Sequence, residues 1–279
     1  MRCPLTLALS PTKTWWRGNS LTDLGLWDTS ASRCVDAFMS TANLILLTGG
    51  AFLASMLAAV AGFGGAAVLL PALVLVFGVR DAIPILTVAQ LIGNLSRVWF
   101  NRRELDLPVV GWFALGGVPA ALIGGFLFAL APLSFLTRLL GIFLIAVVVY
   151  RHASKGSTVR LPLRAFPILG AVFSFLSALL GSVGPIMIPF FLSYGLVKGA
   201  LIGTEALATV VMHVTKLVAY GSTAILTTHS ITVGLALGSI MILGSFVGKK
   251  ILDRLPEKIF VLLIEATLII AGVGFLIRG

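Results

Sequence analysis

Residues 62–71 read GFGGAAVLLP, and residues 181–189 read GSVGPIMIP. Each stretch joins a Gly-rich turn to an apolar run holding a proline, and each leads into a segment with a polar stripe. Gly78 and Gly195 lie 117 residues apart, as do Thr87 and Thr204, while Gly124 to Gly248 and Pro132 to Pro256 are separations of 124. A register kept over that distance marks an internal duplication. In a strongly apolar chain, it points to a membrane transporter whose substrate site lies between two related halves.

Of the 279 residues, 58% are hydrophobic and 11% charged, and the mean hydropathy is +1.09. A soluble domain carries roughly 25% charged residues, so the chain reads as an integral membrane protein with the lipid bilayer as its main partner. A formal charge of +10 would suit nucleic acid, but the basic residues gather in connectors between apolar runs, where they orient a membrane protein. No nucleic-acid partner is expected. Cys3 and Cys34 both precede the apolar region, which leaves it no cysteine metal site. Neither an HExxH motif nor a P-loop is present, so no cofactor is expected.

Residues 1–38 hold Trp15, Trp16 and Trp27, both cysteines and scattered charges. Their apolar core, Leu5 to Leu9, is shorter than the roughly 7–15 residues of a signal-peptide h-region. They are expected to be a disordered or non-native extension, with Met39 the natural start.

Apolar segments then run over 42–61, 65–78, 82–100, 108–130 and 134–150, and again over 166–181, 184–196, 199–220, 230–249 and 257–277. The expected fold is all-α, with two repeats of about five helical segments each: residues 39–151, a basic connector at 152–165, and residues 166–279. The second segment of each half is too short for a bilayer that takes about 20 helical residues to cross. An odd number of segments inverts the second half. With Arg102 and Arg103 cytoplasmic, inversion puts the connector, Lys198 and the cluster Lys249, Lys250, Arg254 and Lys258 on that same side. The Tyr220 to Ser230 loop, which has no Lys or Arg, then lies outside.

Two features are candidates for chemistry. Glycine permits tight turns, and a helix that begins after one offers unpaired N–H groups and the positive end of its dipole to an anion. Gly62, Gly64 and Gly65 precede one short segment; Gly181, Ser182 and Gly184 precede the other. Close packing of helices is the alternative use of such small residues, and it is the one expected for Gly111, Gly116, Gly124, Gly234, Gly238, Gly244 and Gly248. The second feature is the third segment of each half. Thr87, Gln90, Asn94, Arg97 and Asn101 are spaced 3, 4, 3 and 4 apart, and Glu205, Thr209, His213, Lys216 and Tyr220 are spaced 4, 4, 3 and 4, with Thr204 beside the first. Each set lies on one helical face. Ionisable groups inside a bilayer must be paired or hydrated, so these faces should meet each other or a wet cavity. Glu205 and His213 are the candidates for proton coupling; Glu265, in the last segment, is a second choice.

At these residues the sequence resembles the TauE/SafE family of sulfite exporters and sulfonate permeases. The likeness rests on the 62–71 run, the short segment to Gly78, the polar third segment and the Asn101-Arg102-Arg103 exit, and it spans residues 42–278. It implies transport of a sulfur-containing or organic anion across a cytoplasmic membrane, with Gly62, Gly64, Gly65, Thr87 and Asn94 in the substrate region. Two departures, Ala66 where a further glycine is frequent and Pro185 after Gly184, bear on which anion is carried.

The expected function is a secondary anion transporter, with proton coupling as an option, and not an enzyme. The full substrate set is Gly62, Gly64, Gly65, Thr87, Gln90, Asn94, Arg97, Gly181, Ser182, Gly184, Thr204 and Lys216. Two alternatives stand beside it. A passive anion channel would use the same residues. An intramembrane hydrolase would use Ser182 and His213, although Gly181-Ser182-Val183-Gly184 does not have the spacing of a nucleophile elbow.

Overall fold

The helices follow the apolar runs. The computed structural model describes residues 41–61, 66–153, 161–251 and 273. In chain order these form α1 (Thr41–Ala61), α2 (Ala66–Phe100), α3 (Leu107–Leu130), α4 (Leu133–Ala153), a 3-10 turn (Leu163–Ala165), α5 (Phe166–Leu180), α6 (Gly184–Tyr194), α7 (Lys198–Ser222) and α8 (Thr228–Ile251). Every described element is helical. Five stretches are long and apolar enough to cross a membrane: Leu69–Phe100, Leu107–Leu130, Leu163–Leu180, Lys198–Ser222 and Thr228–Gly248. The chain divides into residues 1–45 and a body of residues 46–279. The proposed extension before residue 39, the tenth segment with Glu265, and the Gly-rich turn at 62–65 lie outside the described residues.

The duplicated glycines are the points where helices break. Gly78 sits inside α2 with φ 77° and ψ 166°, and Gly195 ends α6 with φ 113°. Side chains resist both conformations, which explains why glycine occupies both places. The expected gap between the second and third segments of the first half is absent: α2 bends at Gly78 and resumes helix at once. In the second half the break is complete, and α6 has 11 residues, about 16 Å at 1.5 Å per residue. That is well short of a bilayer core of about 30 Å.

The most extensive packing joins the two halves. α3 lies along α5 and α7, and α2 lies along α7 and α8. Small residues permit this closeness. A Cβ on Gly116 would collide with the Pro167 carbonyl oxygen, and one on Gly170 with that of Phe113. At Gly124 the obstacle would be Ala178 and the Phe175 carbonyl, both at 2.9 Å. Gly244 and Gly248 of α8 approach the Phe52 and Met56 carbonyls of α1 in the same way, while Gly234 and Gly238 make room for Val88 and Ile92 of α2. Gly111 differs from the packing role expected of it, because a Cβ there would meet nothing within 4 Å. Leu115, Ile123 and Leu130 of α3 are exposed while Phe113 and Phe128 are buried. This helix is apolar on every side, as one between a protein core and lipid must be.

Candidate functional site

The two polar stripes are buried. Thr87, Gln90, Asn94 and Arg97 on α2, and Thr204, Glu205, Thr209, His213 and Lys216 on α7, are all buried. A cation at 2% or less exposure in an apolar body must find acceptors, and both cations do.

Arg97 reaches across the halves. Its Nη1 forms an ion pair with Glu205 Oε2 at 3.2 Å and donates to the Ala58 carbonyl at 3.4 Å, while Nη2 donates to Asn94 Oδ1. Glu205 Oε1 in turn accepts from the Thr209 hydroxyl at 3.1 Å. Asn94, Arg97, Glu205 and Thr209 are therefore one network. With Oδ1 committed to the guanidinium, the Asn94 amide turns its Nδ2 away, and that nitrogen has no hydrogen-bond partner among the described residues. Gln90 Nε2, one turn earlier on the same face, also has none. Both are donors only.

Lys216 is held differently. Its Nζ donates to Ser177 Oγ at 3.0 Å, to the Gly181 carbonyl at 3.2 Å and to the Ser177 carbonyl at 3.4 Å. No carboxylate pairs with it among the described residues. The local reason is the end of α5. A helix leaves its last four carbonyls without intrahelical partners, and Gly181, with φ 88°, turns the chain immediately after Leu180. Lys216 and Tyr220 satisfy that end from α7; the Tyr220 hydroxyl donates to the Ala178 carbonyl at 2.6 Å. The turn is packed against the first half, since a Cβ on Gly181 would touch Leu86, Ile83 and Leu70 at 3.3–3.5 Å. His213 lies between Thr209 and Lys216 on the stripe, and its Nδ1 has no partner among the described residues.

Other expected site residues are engaged elsewhere. The Thr87 hydroxyl donates to the Ile83 carbonyl of its own helix at 2.8 Å. The Thr204 hydroxyl accepts from the Asp106 backbone N–H at 2.9 Å, while the Asp106 side chain caps α3 by accepting from Val109 N at 3.1 Å. Thr204 thus ties down the loop between α2 and α3. Gly184 opens α6 and is buried, and Ser182 is half-buried in the turn before it. Gly62, Gly64 and Gly65 lie outside the described residues. Ser177, which no sequence pattern singled out, is the main side-chain partner of Lys216; its only signal is the small-residue face Gly170, Ser174 and Ser177 ahead of the Gly181 turn.

Among known proteins, a family model described as "Sulfite exporter TauE/SafE" matches residues 47–275. No curated protein and no solved structure gives a match.

Proposed function

Given that the chain belongs to the Sulfite exporter TauE/SafE family, we propose that its paired polar stripes bind a small sulfur-containing or organic anion and carry it across the cytoplasmic membrane by alternating access. Family membership also removes the hydrolase alternative: the chain is a multi-pass transport protein and not an enzyme. The observation that carries the binding reading is the charge and donor balance of the buried stripes. Glu205 balances Arg97, no carboxylate among the described residues balances Lys216, and the unpartnered amide nitrogens of Gln90 and Asn94 offer N–H groups. A site with one positive charge in excess and spare donors favours an anion. The Gly-rich turns at Gly62, Gly64 and Gly65 and at Gly181, Ser182 and Gly184 would add backbone donors from the short helices that follow. Thr87 and Thr204 would frame the stripes. Glu205 and His213 are the groups proposed to exchange a proton during the cycle.

The two halves are proposed to be inverted repeats. Three likenesses support this: helix breaks at Gly78 and Gly195, glycine contacts of α3 on α5 and of α8 on α1, and basic residues that, Arg80 and Arg278 apart, lie where the positive-inside rule requires for inversion.

Reconstitution into liposomes tests the function. Sulfite, a sulfonate or a small carboxylate should cross faster than in empty vesicles, and preloaded substrate should accelerate uptake. Fluxes equal to those of empty vesicles for all three anions would remove the reading, and flux without acceleration would convert it to a passive channel. The transported anion should also raise the melting temperature by mass action, a shift that Asn94→Ala should lose.

A further inference from the structure

We propose that the end of α5 is a binding site for a monovalent cation, and that the ammonium of Lys216 is its tethered occupant. Three oxygens surround Nζ at 3.0–3.4 Å, two of them main-chain carbonyls, and none belongs to a carboxylate. The Ser177 hydroxyl completes the arrangement by donating to the Gly181 carbonyl at 3.4 Å, which turns its lone pairs toward the ammonium. Neutral carbonyl oxygens at the negative end of an interrupted helix are the groups that hold Na+ in secondary transporters built on broken helices. Here the chain supplies the cation itself.

The first half carries a second instance. Arg97 donates to the carbonyl of Ala58, three residues before the last of α1, just as Lys216 donates to that of Ser177, three residues before the last of α5. Both pairs are separated by 39 residues. The two helix ends are thus equivalent cation positions. They differ in that Glu205 shares the guanidinium, whereas the ammonium rests, among the described residues, on neutral oxygens alone. Lys216 therefore fills that position without being an exchangeable ion, and the transporter has no need of Na+ or K+ at that place.

Lys216→Ala in the full chain makes the site available to soluble cations. In detergent, the melting temperature of this variant should rise by about 3 °C or more when choline chloride is replaced by ammonium, methylammonium or propylammonium chloride. Na+ should give a smaller rise, because the oxygens are spaced for N–H donors. Wild type should show no such difference, since its site is filled. In liposomes, which is the one arm that rests on the anion reading above, the variant should lose flux on the order of tenfold in choline and regain it with propylammonium. A variant recovered in folded form only with a primary ammonium salt supports the proposal equally. A folded variant that responds to no ammonium or alkali cation overturns it. If the variant folds in no salt, wild type decides: flux unchanged when Na+ and K+ are replaced by choline supports the tethered cation, and flux that requires either ion overturns it. A failure of wild type to carry any anion would sink the transport reading while leaving the thermal measurement valid.

Discussion

Removing the Glu205 carboxylate leaves the Arg97 guanidinium, 2% exposed, without its counter-charge. Loss of one partner from a buried ion pair costs about 3–5 kcal/mol, whereas replacing both with apolar residues is often neutral. Glu205→Ala should therefore destabilise strongly, and Arg97→Met combined with Glu205→Leu should recover most of the loss in denaturant unfolding in micelles. A double variant as unstable as the single one would show that the two charges do not depend on each other. Thr209→Val removes one hydrogen bond to the carboxylate and should cost about 1 kcal/mol. At this scale the sequence reveals which residues share a face and conceals what they touch. The spacing from Thr87 to Asn101 and from Glu205 to Tyr220 places the polar groups on two buried stripes. The commitment of Arg97 to Glu205, of Lys216 to Ser177 and of Thr204 to the Asp106 N–H depends on how distant helices meet, and no local period encodes that.

Among the elements, α3 tests whether glycine is present for contact or only by composition. Gly116 and Gly111 both lie on it, but one faces the Pro167 carbonyl and the other open space. Gly116→Ala must push α3 off α5 and should cost about 1–3 kcal/mol, as overpacking does. Gly111→Ala should be neutral or stabilise by up to about 1 kcal/mol through helix propensity. Melting temperatures of the two variants in the same detergent make the comparison, and equal effects would refute the packing role. Helix bounds were legible almost to the residue for α3, α5 and α7, because apolar runs ended by Gly, Pro or charge leave little choice. The bend at Gly78 was not: a lone glycine before Val79 and Arg80 reads as a boundary, and only the resumed backbone helix makes it a kink.

For the whole molecule, the proposed inversion has a direct consequence for sidedness. Glu104 follows the third segment of the first half, and Ile225 follows that of the second. Single cysteines at these positions should be labelled by an impermeant maleimide from opposite faces of the membrane; labelling of both from one face would refute inverted repeats. The interlocking of the halves also constrains how the protein is made. α2 rests chiefly on α7 and α8, and α3 on α5 and α7. When the ribosome has released α4, the first half has its helices but not the surfaces they close against. At about 5–20 residues per second, roughly 5–20 s pass before α8 is complete. Until α7 is made Arg97 has no Glu205 beside it, and until α5 is made the glycine-lined groove of α3 faces lipid or the insertion machinery. Biogenesis therefore ends with a late docking step, and a chain truncated before α7 should be a substrate for membrane proteases instead of a half-sized transporter.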